Sequence, residues 1–399
     1  KVVWPDVFAA VSWLAVWCET DVVTVARTSL HGWPAAITVC ATFQDGRGRL
    51  FRVTNPVMTA MDETTNGQQP DEVAIARSGD DAAFGALVER YRHELQVHCY
   101  RMLGSLTDAE DHVQETLLRA WRSRSSFAGR STIRAWLYRI ATNACLDMLR
   151  SHPERVIPVG DAASPPPSEI PWLQPYPDAL LDRAAPRGDE PDALVVARET
   201  IELAYLAAIQ LLPPNQRAVL ILRDVLGWSA AETAALLDTS VASVTSALQR
   251  ARMTLKDNRP VEPAAWTPPT EPSAEERALL QRYMDAHARA DAPALVAMMR
   301  EDIRFTMPPQ PAHYVGRAEV GGFLTEALRT VGEFRLVPTT ANRMPAAANY
   351  LRSPGDTQFR ALSLDVLRFV DGQLAEITTF EPSLFTYFGL PEIWSPPAD

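Results

Sequence analysis

Apolar residues recur at helical spacing in two neighbouring stretches, and the polar positions between them carry opposite charge. From Thr107 the chain reads TDAEDHVQETLLRAW, in which Val113, Leu117 and Trp121 share a face expected to meet a core. Thr107 with Glu110 three residues on forms a capping signature, so the helix is predicted to start there. Asp108, Glu110 and Asp111 crowd the first turn, where the helix dipole favours acids. Asp111, Gln114, Glu115 and Leu118 lie elsewhere on the cylinder and are open to a partner. The next stretch, STIRAWLYRIATNACLDMLR, sets Ile133, Leu137, Ile140, Ala144 and Met148 in an apolar stripe. Arg134, Arg139 and Arg150 surround that stripe, with Trp136, Tyr138 and Asn143 interleaved. Cations, aromatics and an amide on one helix suit a phosphate backbone and unstacked bases. The same pattern also fits an ordinary amphipathic helix with a basic face, and periodicity leaves both open.

Upstream, residues 71–99 pattern as helix, with Val73, Ile75, Phe84, Leu87, Val88 and Tyr91 as core candidates and His93 and His98 as structural histidines. Downstream, Ser229 and Glu232 make a capping box, AAETAALL follows, and the turn Asp238-Thr239-Ser240 leads into VASVTSALQRARMTLK. Helix, short turn, helix is the helix-turn-helix order, with a plain three-helix bundle as the alternative. In its last helix Val244, Leu248, Ala251 and Leu255 point inward. Ser243, Ser246, Gln249 and Arg250 point outward and suit base edges, while Arg252 and Lys256 behind them suit phosphates.

From Ser273 the period changes. Helices are expected over 275–289, carrying Leu279, Leu280, Tyr283, Met284 and His287 inward, over 292–299 and over 317–328, with IRFTMPP as a strand. FRALSLDVLRFV and QLAEITTF alternate on either side of Asp-Gly, which is a strong hairpin signal.

Composition changes this picture in three places. The chain has 399 residues and a formal net charge of −11, so any surface for nucleic acid must be a local basic patch. Prolines cluster in 153–191 and again in 258–272, marking linkers. The first of these contains IPWLQPYPDALLD, too aromatic for a passive spacer, and Trp172 and Tyr176 in it are expected to dock on a neighbour. Cys18, Cys40, Cys99 and Cys145 lack ligand spacing and read as reduced thiols, so no metal or cofactor is expected. No stretch reaches the length of a membrane span, and a cytoplasmic protein is expected.

DAEDHVQETLLRAW followed by Phe127 and then R-x-W-L-Y-R-I-A-x-N-x-x-x-D-x-x-R resembles region 2 of the extracytoplasmic-function sigma factors of bacterial RNA polymerase. At its distance downstream, the helix-turn-helix resembles region 4 of the same family. The resemblance implies that Asp111, Gln114, Glu115 and Leu118 meet the clamp of the largest subunit of core RNA polymerase, with the flap of the second subunit as a further contact. It implies that promoter DNA at the minus-ten element meets Phe127, Arg130, Ser131, Arg134, Trp136, Tyr138, Arg139 and Asn143. It places Ser243, Ser246, Gln249, Arg250, Arg252 and Lys256 at the minus-thirty-five element. The final segment resembles the SnoaL-like fold, a cone with an apolar pocket. Relatives of that fold include cyclases and isomerases, so His287, Asp302, His313 and Asp365 are acid–base candidates.

The expected architecture is multi-domain: two all-α sigma domains, a region 2 bundle over 71–152 and a region 4 helix-turn-helix over 192–257, then an α+β SnoaL-like cone over 273–399. Residues 1–70 are read as an N-terminal extension, disordered or lying upstream of a natural start at Met58 or Met61. The leading function is promoter-specific transcription initiation without catalysis. In that reading the cone modulates activity through a small-molecule ligand or an intramolecular contact. The alternatives are a SnoaL-like cyclase or isomerase fused to a DNA-binding module, and a helix-turn-helix regulator that never touches polymerase.

Overall fold

The computed structural model describes residues 24–25, 37–44, 50–57, 69–129, 131–156, 170–184, 203–257, 272–310, 312–330 and 332–395. The chain divides into a unit over 1–74 and a unit over 75–399. In the first, β1 (Thr24–Val25), β2 (Ile37–Gln44) and β3 (Leu50–Val57) pair as a three-stranded antiparallel sheet. The sequence pattern gave no period there.

Helix α1 (Gln69–Arg77) is followed by α2 (Asp81–Glu89), α3 (Arg92–Leu103), α4 (Leu106–Ser123) and α5 (Ile133–Ser151). Asp80 caps α2 by accepting from the Ala82 and Ala83 amides, and Thr132 caps α5 by accepting from Ala135. α3 is the buried axis of this bundle, with Leu95, Cys99, Tyr100, Met102 and Leu103 inaccessible, and it ends at Gly104 in the left-handed conformation.

Two expectations for α4 need correction. Its N-cap is Ser105, whose hydroxyl accepts from Asp108, so the helix begins ahead of Thr107. The Thr107 amide instead donates to the side-chain oxygen of Gln174, 3.0 Å away in the first linker. Nor does Trp121 reach the core: it is 42% exposed and its Nε1 donates to Asp81. In α5 the buried face is wider than the expected stripe. Ile133, Leu137 and Ala144 are buried, Ile140 and Met148 only partly, and Tyr138, Ala141, Cys145 and Leu149 complete the contact.

Within the linker, α6 (Asp178–Ala184) is the short helix that the surrounding prolines permit. The segment that resembles region 4 comprises α7 (Leu203–Gln210), α8 (Pro214–Leu220), α9 (Ala230–Leu236) and α10 (Val241–Asp257). Both halves of the Ser229–Glu232 capping box form, and Asp238 adopts a positive φ of 52° in the turn before α10. Val244, Leu248, Ala251 and Leu255 are buried as the pattern requires.

The C-terminal domain packs α11 (Ala274–Ala288), α12 (Ala292–Met298) and α13 (Arg317–Thr330) against a seven-stranded sheet. Its strands are β4 (Met299–Thr306), β5 (His313–Val315), β6 (Glu333–Ala341), β7 (Met344–Arg352), β8 (Phe359–Val370), β9 (Gln373–Phe380) and β10 (Ile393–Trp394). The order is β5-β4-β9-β8-β7-β6, with β10 on β8. The sheet is mixed rather than purely antiparallel, because β4 lies parallel to β9. Tyr283, Leu295, Ile303, Val320, Leu367 and Ile377 form the core between the layers. Asp371 and Gly372, with φ of 52° and 72°, make the expected two-residue hairpin turn.

Candidate functional site

Three surfaces carry the residues that the sequence singles out, one each on α4, α5 and α10. On α4, Asp111 and Gln114 are exposed and Leu118 is 49% exposed, an unusual position for a leucine on a charged helix. Glu115 is half-buried and engaged: Arg119 donates to it at 2.6 Å and to Asp147 of α5 at 2.9 Å, which fixes the angle between the two helices. Beside this row, Glu110 accepts a hydrogen bond of 2.9 Å from the Tyr387 hydroxyl, at the end of the C-terminal domain's 382–388 turn. Burial, then the Glu110 carboxylate, raise the Tyr387 phenol above its ordinary pKa.

On α5 the candidate promoter residues separate into two groups. Arg139 and Asn143 are exposed, as is Ser131 before the helix. Phe127 and Tyr138 are buried instead. Phe127 lies 5.0 Å from the half-buried ring of Trp136, and its carbonyl accepts from Arg77 Nε at 2.9 Å. Tyr138 donates to Glu94 at 3.3 Å, and Arg134 both pairs with Glu94 at 2.9 Å and lies over the Tyr138 ring. On its other side the Tyr138 ring meets Trp228, 5.5 Å away in the loop before α9. Region 4 thus rests on the helix expected to take promoter DNA. Arg130 lies outside the described residues.

Behind Tyr138, His98 is fully buried, and burial followed by Arg101 and Arg134 pushes its pKa down to about 3. Its Nε2 lies 2.9 Å from Thr142 Oγ1. Thr142 already donates to the Tyr138 carbonyl, so the imidazole is the donor in that pair.

The contact between regions 2 and 4 turns on Arg217 of α8, a fully buried guanidinium. It donates to the Met102 carbonyl at 2.6 Å, to the Gln210 side chain at 2.7 Å, and to the carbonyls of Gln210 and Leu212 at 2.8 and 3.2 Å. The Gln210 amide donates in turn to the Arg101 carbonyl at 3.2 Å. A cation from region 4 therefore satisfies the carbonyl end of α3 in region 2, where the helix dipole favours it. Burial lowers its pKa to about 9. Gly104 makes room: a β-carbon there would stand 2.9 Å from Gln210 Cδ.

On α10, Ser243, Ser246, Gln249 and Arg250 are exposed on one side, with Lys256 exposed at the end. Arg252 is exposed too, but it makes two hydrogen bonds of 2.9 and 2.7 Å to Asp224.

The linker residues Trp172 and Tyr176 differ in depth. Trp172 is half-buried, while Tyr176 is wholly buried, its ring 4.7 Å from Tyr100 of α3. Asn342, at the β6–β7 turn, grips the linker at three points. Its side-chain oxygen accepts from the Tyr176 amide at 2.7 Å, its own amide donates to the Tyr176 carbonyl at 2.9 Å, and its Nδ2 donates to Tyr100 Oη at 3.0 Å. Arg343 adds a hydrogen bond to Asp178 and an ion pair with Asp182. One linker segment is thus held between α3 and the C-terminal domain.

Inside the C-terminal domain two of the acid–base candidates, Asp365 and His287, come together around Tyr283, while Asp302 and His313 stand apart from them. Asp365 is buried and accepts from Tyr283 at 2.8 Å, Asn349 at 2.7 Å and Thr379 at 2.7 Å. His287 is buried edge-on to Tyr283 and Phe334, and burial lowers its pKa. Asp302 is exposed and paired with Arg300, and His313 is exposed on β5. Sequence reasoning missed Arg217, Gln174, Trp228, Asn342 and Tyr387. The aromatic run around Trp172 was the one signal that pointed toward them.

Family comparisons follow the same division of the chain. Sigma-70 region 2 matches residues 87–154, Sigma-70 region 4 matches residues 202–255, and the SnoaL-like domain matches residues 280–377. The chain is 41% identical over 338 residues to the ECF RNA polymerase sigma factor SigG of Mycobacterium tuberculosis, covering 82% of this chain and 87% of that one. It is 32% identical over 194 residues to the ECF RNA polymerase sigma-E factor of Escherichia coli, covering 48% of this chain and 95% of that one. Among solved structures it resembles the Mycobacterium tuberculosis extracytoplasmic function sigma factor SigJ, with 24% identity, a TM-score of 0.49, and coverage of 77% of this chain and 99% of that one. No helix among the described residues is long and apolar enough to cross a membrane. With both sigma regions matched in order and a relative aligned along most of its length, the chain belongs to the ECF sigma factors of RNA polymerase, and it carries a SnoaL-like domain at its C-terminal end.

Proposed function

We propose that the arrangement described above is the closed form of a sigma factor, held shut by its own C-terminal domain, and that initiation requires it to open. Sigma factors bind core RNA polymerase and promoter DNA. Here one observation carries the reading: Tyr138, on the expected minus-ten helix, is buried between Glu94 and Trp228 of region 4. A base stacking on that ring would have to displace region 4 first. In the open form Asp111, Gln114, Glu115 and Leu118 meet the clamp of the largest subunit, and region 4 meets the flap of the second. Phe127, Arg130, Ser131, Arg134, Trp136, Tyr138, Arg139 and Asn143 then take the minus-ten element. The α10 residues take the minus-thirty-five element, and the protein works in the cytoplasm.

The C-terminal domain acts as a clasp rather than a catalyst. Asp365, the most buried carboxylate among its described residues, is occupied by three donors, and His287 is set against the Tyr283 ring rather than hydrogen-bonded to that carboxylate. Its grip on the linker through Asn342, and on α4 through Tyr387, adds to the Arg217 joint. In this reading region 2 spans 71–152, region 4 spans 192–257 and the C-terminal domain spans 273–399.

The test is transcription in vitro from one cognate promoter with the full chain, a chain ending at Lys256, and Trp172→Ala/Tyr176→Ala. The truncation is expected to bind core polymerase more tightly, and the double variant to move part of the way. Equal core affinity and equal transcript from all three would end the closed-form reading.

A further inference from the structure

One cavity, of about 460 Å³, opens where the end of region 2, the linker and the C-terminal domain meet. That volume falls in the range of small-molecule sites. Its walls include Arg155 from beyond α5, Trp172 from the linker, and Pro308, Phe380 and Leu384 from the C-terminal domain. Two donors on these lining residues lack acceptors: Trp172 Nε1 and Arg155 Nη1 are both buried without a hydrogen-bond partner. The Arg155 guanidinium lies over the Trp172 ring at 5.5 Å and uses Nη2 to pair with Asp108 at 2.8 Å. The two orphan N–H groups therefore belong to one stacked pair. Leaving a donor buried and unmade is costly, so an acceptor arriving there is favoured.

Charge decides which acceptor. The one guanidinium is already neutralised by Asp108, while Glu154 and Glu381 stand exposed on the same wall. An anion would be repelled by two uncompensated carboxylates, whereas a neutral carbonyl oxygen carries no net charge for them to oppose. The proline, phenylalanine and leucine surfaces suit a flat apolar body.

We propose that this cavity binds a neutral, planar aryl carbonyl compound, its oxygen accepting from Trp172 Nε1 and Arg155 Nη1 and its ring against Pro308, Phe380 and Leu384. Because three separate parts of the chain build the walls, the site exists only while they are together. A ligand there stabilises the joined state by mass action, about elevenfold at ten times its dissociation constant. That consequence rests on the closed-form reading above; the binding itself does not.

The experiment uses the full chain and saturation-transfer NMR with 2-acetylnaphthalene as the neutral probe and 2-naphthoate as its charged counterpart. Ser383→Trp, an exposed position on the cavity wall, plugs the site without touching the core, and Trp172→Phe removes one donor. Acetylnaphthalene is expected to bind, to weaken about fivefold with Trp172→Phe, and to be excluded by Ser383→Trp, while naphthoate binds more weakly. No transfer to acetylnaphthalene, transfer unchanged in both variants, or naphthoate binding as tightly would overturn the proposal. Core polymerase affinity is measured alongside. Binding with no loss of core affinity would overturn the coupling to closure and leave the site standing. Failure to bind, with a truncated chain that still gains core affinity, would sink the site and spare the closed form.

Discussion

Single residues settle which surfaces are available. Tyr138 was legible as an aromatic on a basic helix, but its burial was not, because the ring that covers it, Trp228, comes from a segment ninety positions away. Arg217 was invisible for the same reason: in PPNQRAVL it reads as one surface cation, and only the carbonyl end of α3 explains its burial. His98 gives a pH handle on this layer. Its folded pKa, about 3, lies below the ordinary value of 6.5, so the folded state resists protonation. The sign follows: stability from the neutral imidazole is full above 6.5 and drains as pH falls toward 3. Between pH 6.5 and 4 the loss is expected to be roughly 3 kcal/mol as an upper figure. Urea denaturation across that range should show His98→Gln with a flatter pH dependence than the parent chain. Equal slopes would mean that His98 does not report on the buried layer.

Elements with strong local patterns were the most readable. The helix α10, the Ser229–Glu232 box that caps α9, the Asp-Gly hairpin and the three cone helices follow from spacing alone. The start of α4 did not, since Ser105 rather than Thr107 caps it, and the Thr107 amide is taken up by Gln174 from the distant linker. The β6–β7 turn was hidden too. Asn342 and Arg343 both take positive φ, at 54° and 61°, and an arginine there breaks the usual Asn-Gly signal.

Two element-scale predictions follow from exposed faces. Asp111→Lys with Gln114→Lys on α4 should abolish core polymerase binding while leaving the fold's circular dichroism unchanged; retained co-purification at parent affinity would remove that face from the interface. On α10, Gln249→Ala or Arg250→Ala should cost about 1–3 kcal/mol at one promoter position. Lys256→Ala should weaken all sequences evenly. A promoter library with identical preferences before and after the Gln249 and Arg250 changes would exclude both from base reading.

At the scale of the whole molecule, the regions are fixed by contacts that sequence periodicity cannot encode. Sequence located the two sigma regions and the SnoaL-like domain, and it flagged Trp172 and Tyr176 as a dock. The partners of that dock, Tyr100 on one side and Asn342 on the other, emerge only once α3 and the β6–β7 turn are in place. The closed arrangement needs only a few kcal/mol over the open one for the population to switch on binding polymerase. Arg217 joins regions 2 and 4 directly, whereas Asn342 and Tyr387 hold the C-terminal domain to the linker and to α4. Loss of Arg217 is therefore the single change expected to shift the population between regions 2 and 4.

The central claim is that regions 2 and 4 are joined in the free protein and part on polymerase. Spin labels at Asn143→Cys and Ala242→Cys, both exposed, report the distance between α5 and α10 by double electron–electron resonance, with Cys18 and Cys40 replaced by serine. The free chain should give one short distance that lengthens when core polymerase is added, and Arg217→Met should broaden it toward the long value without polymerase. A distance that is unchanged by core polymerase and by Arg217→Met would contradict the account.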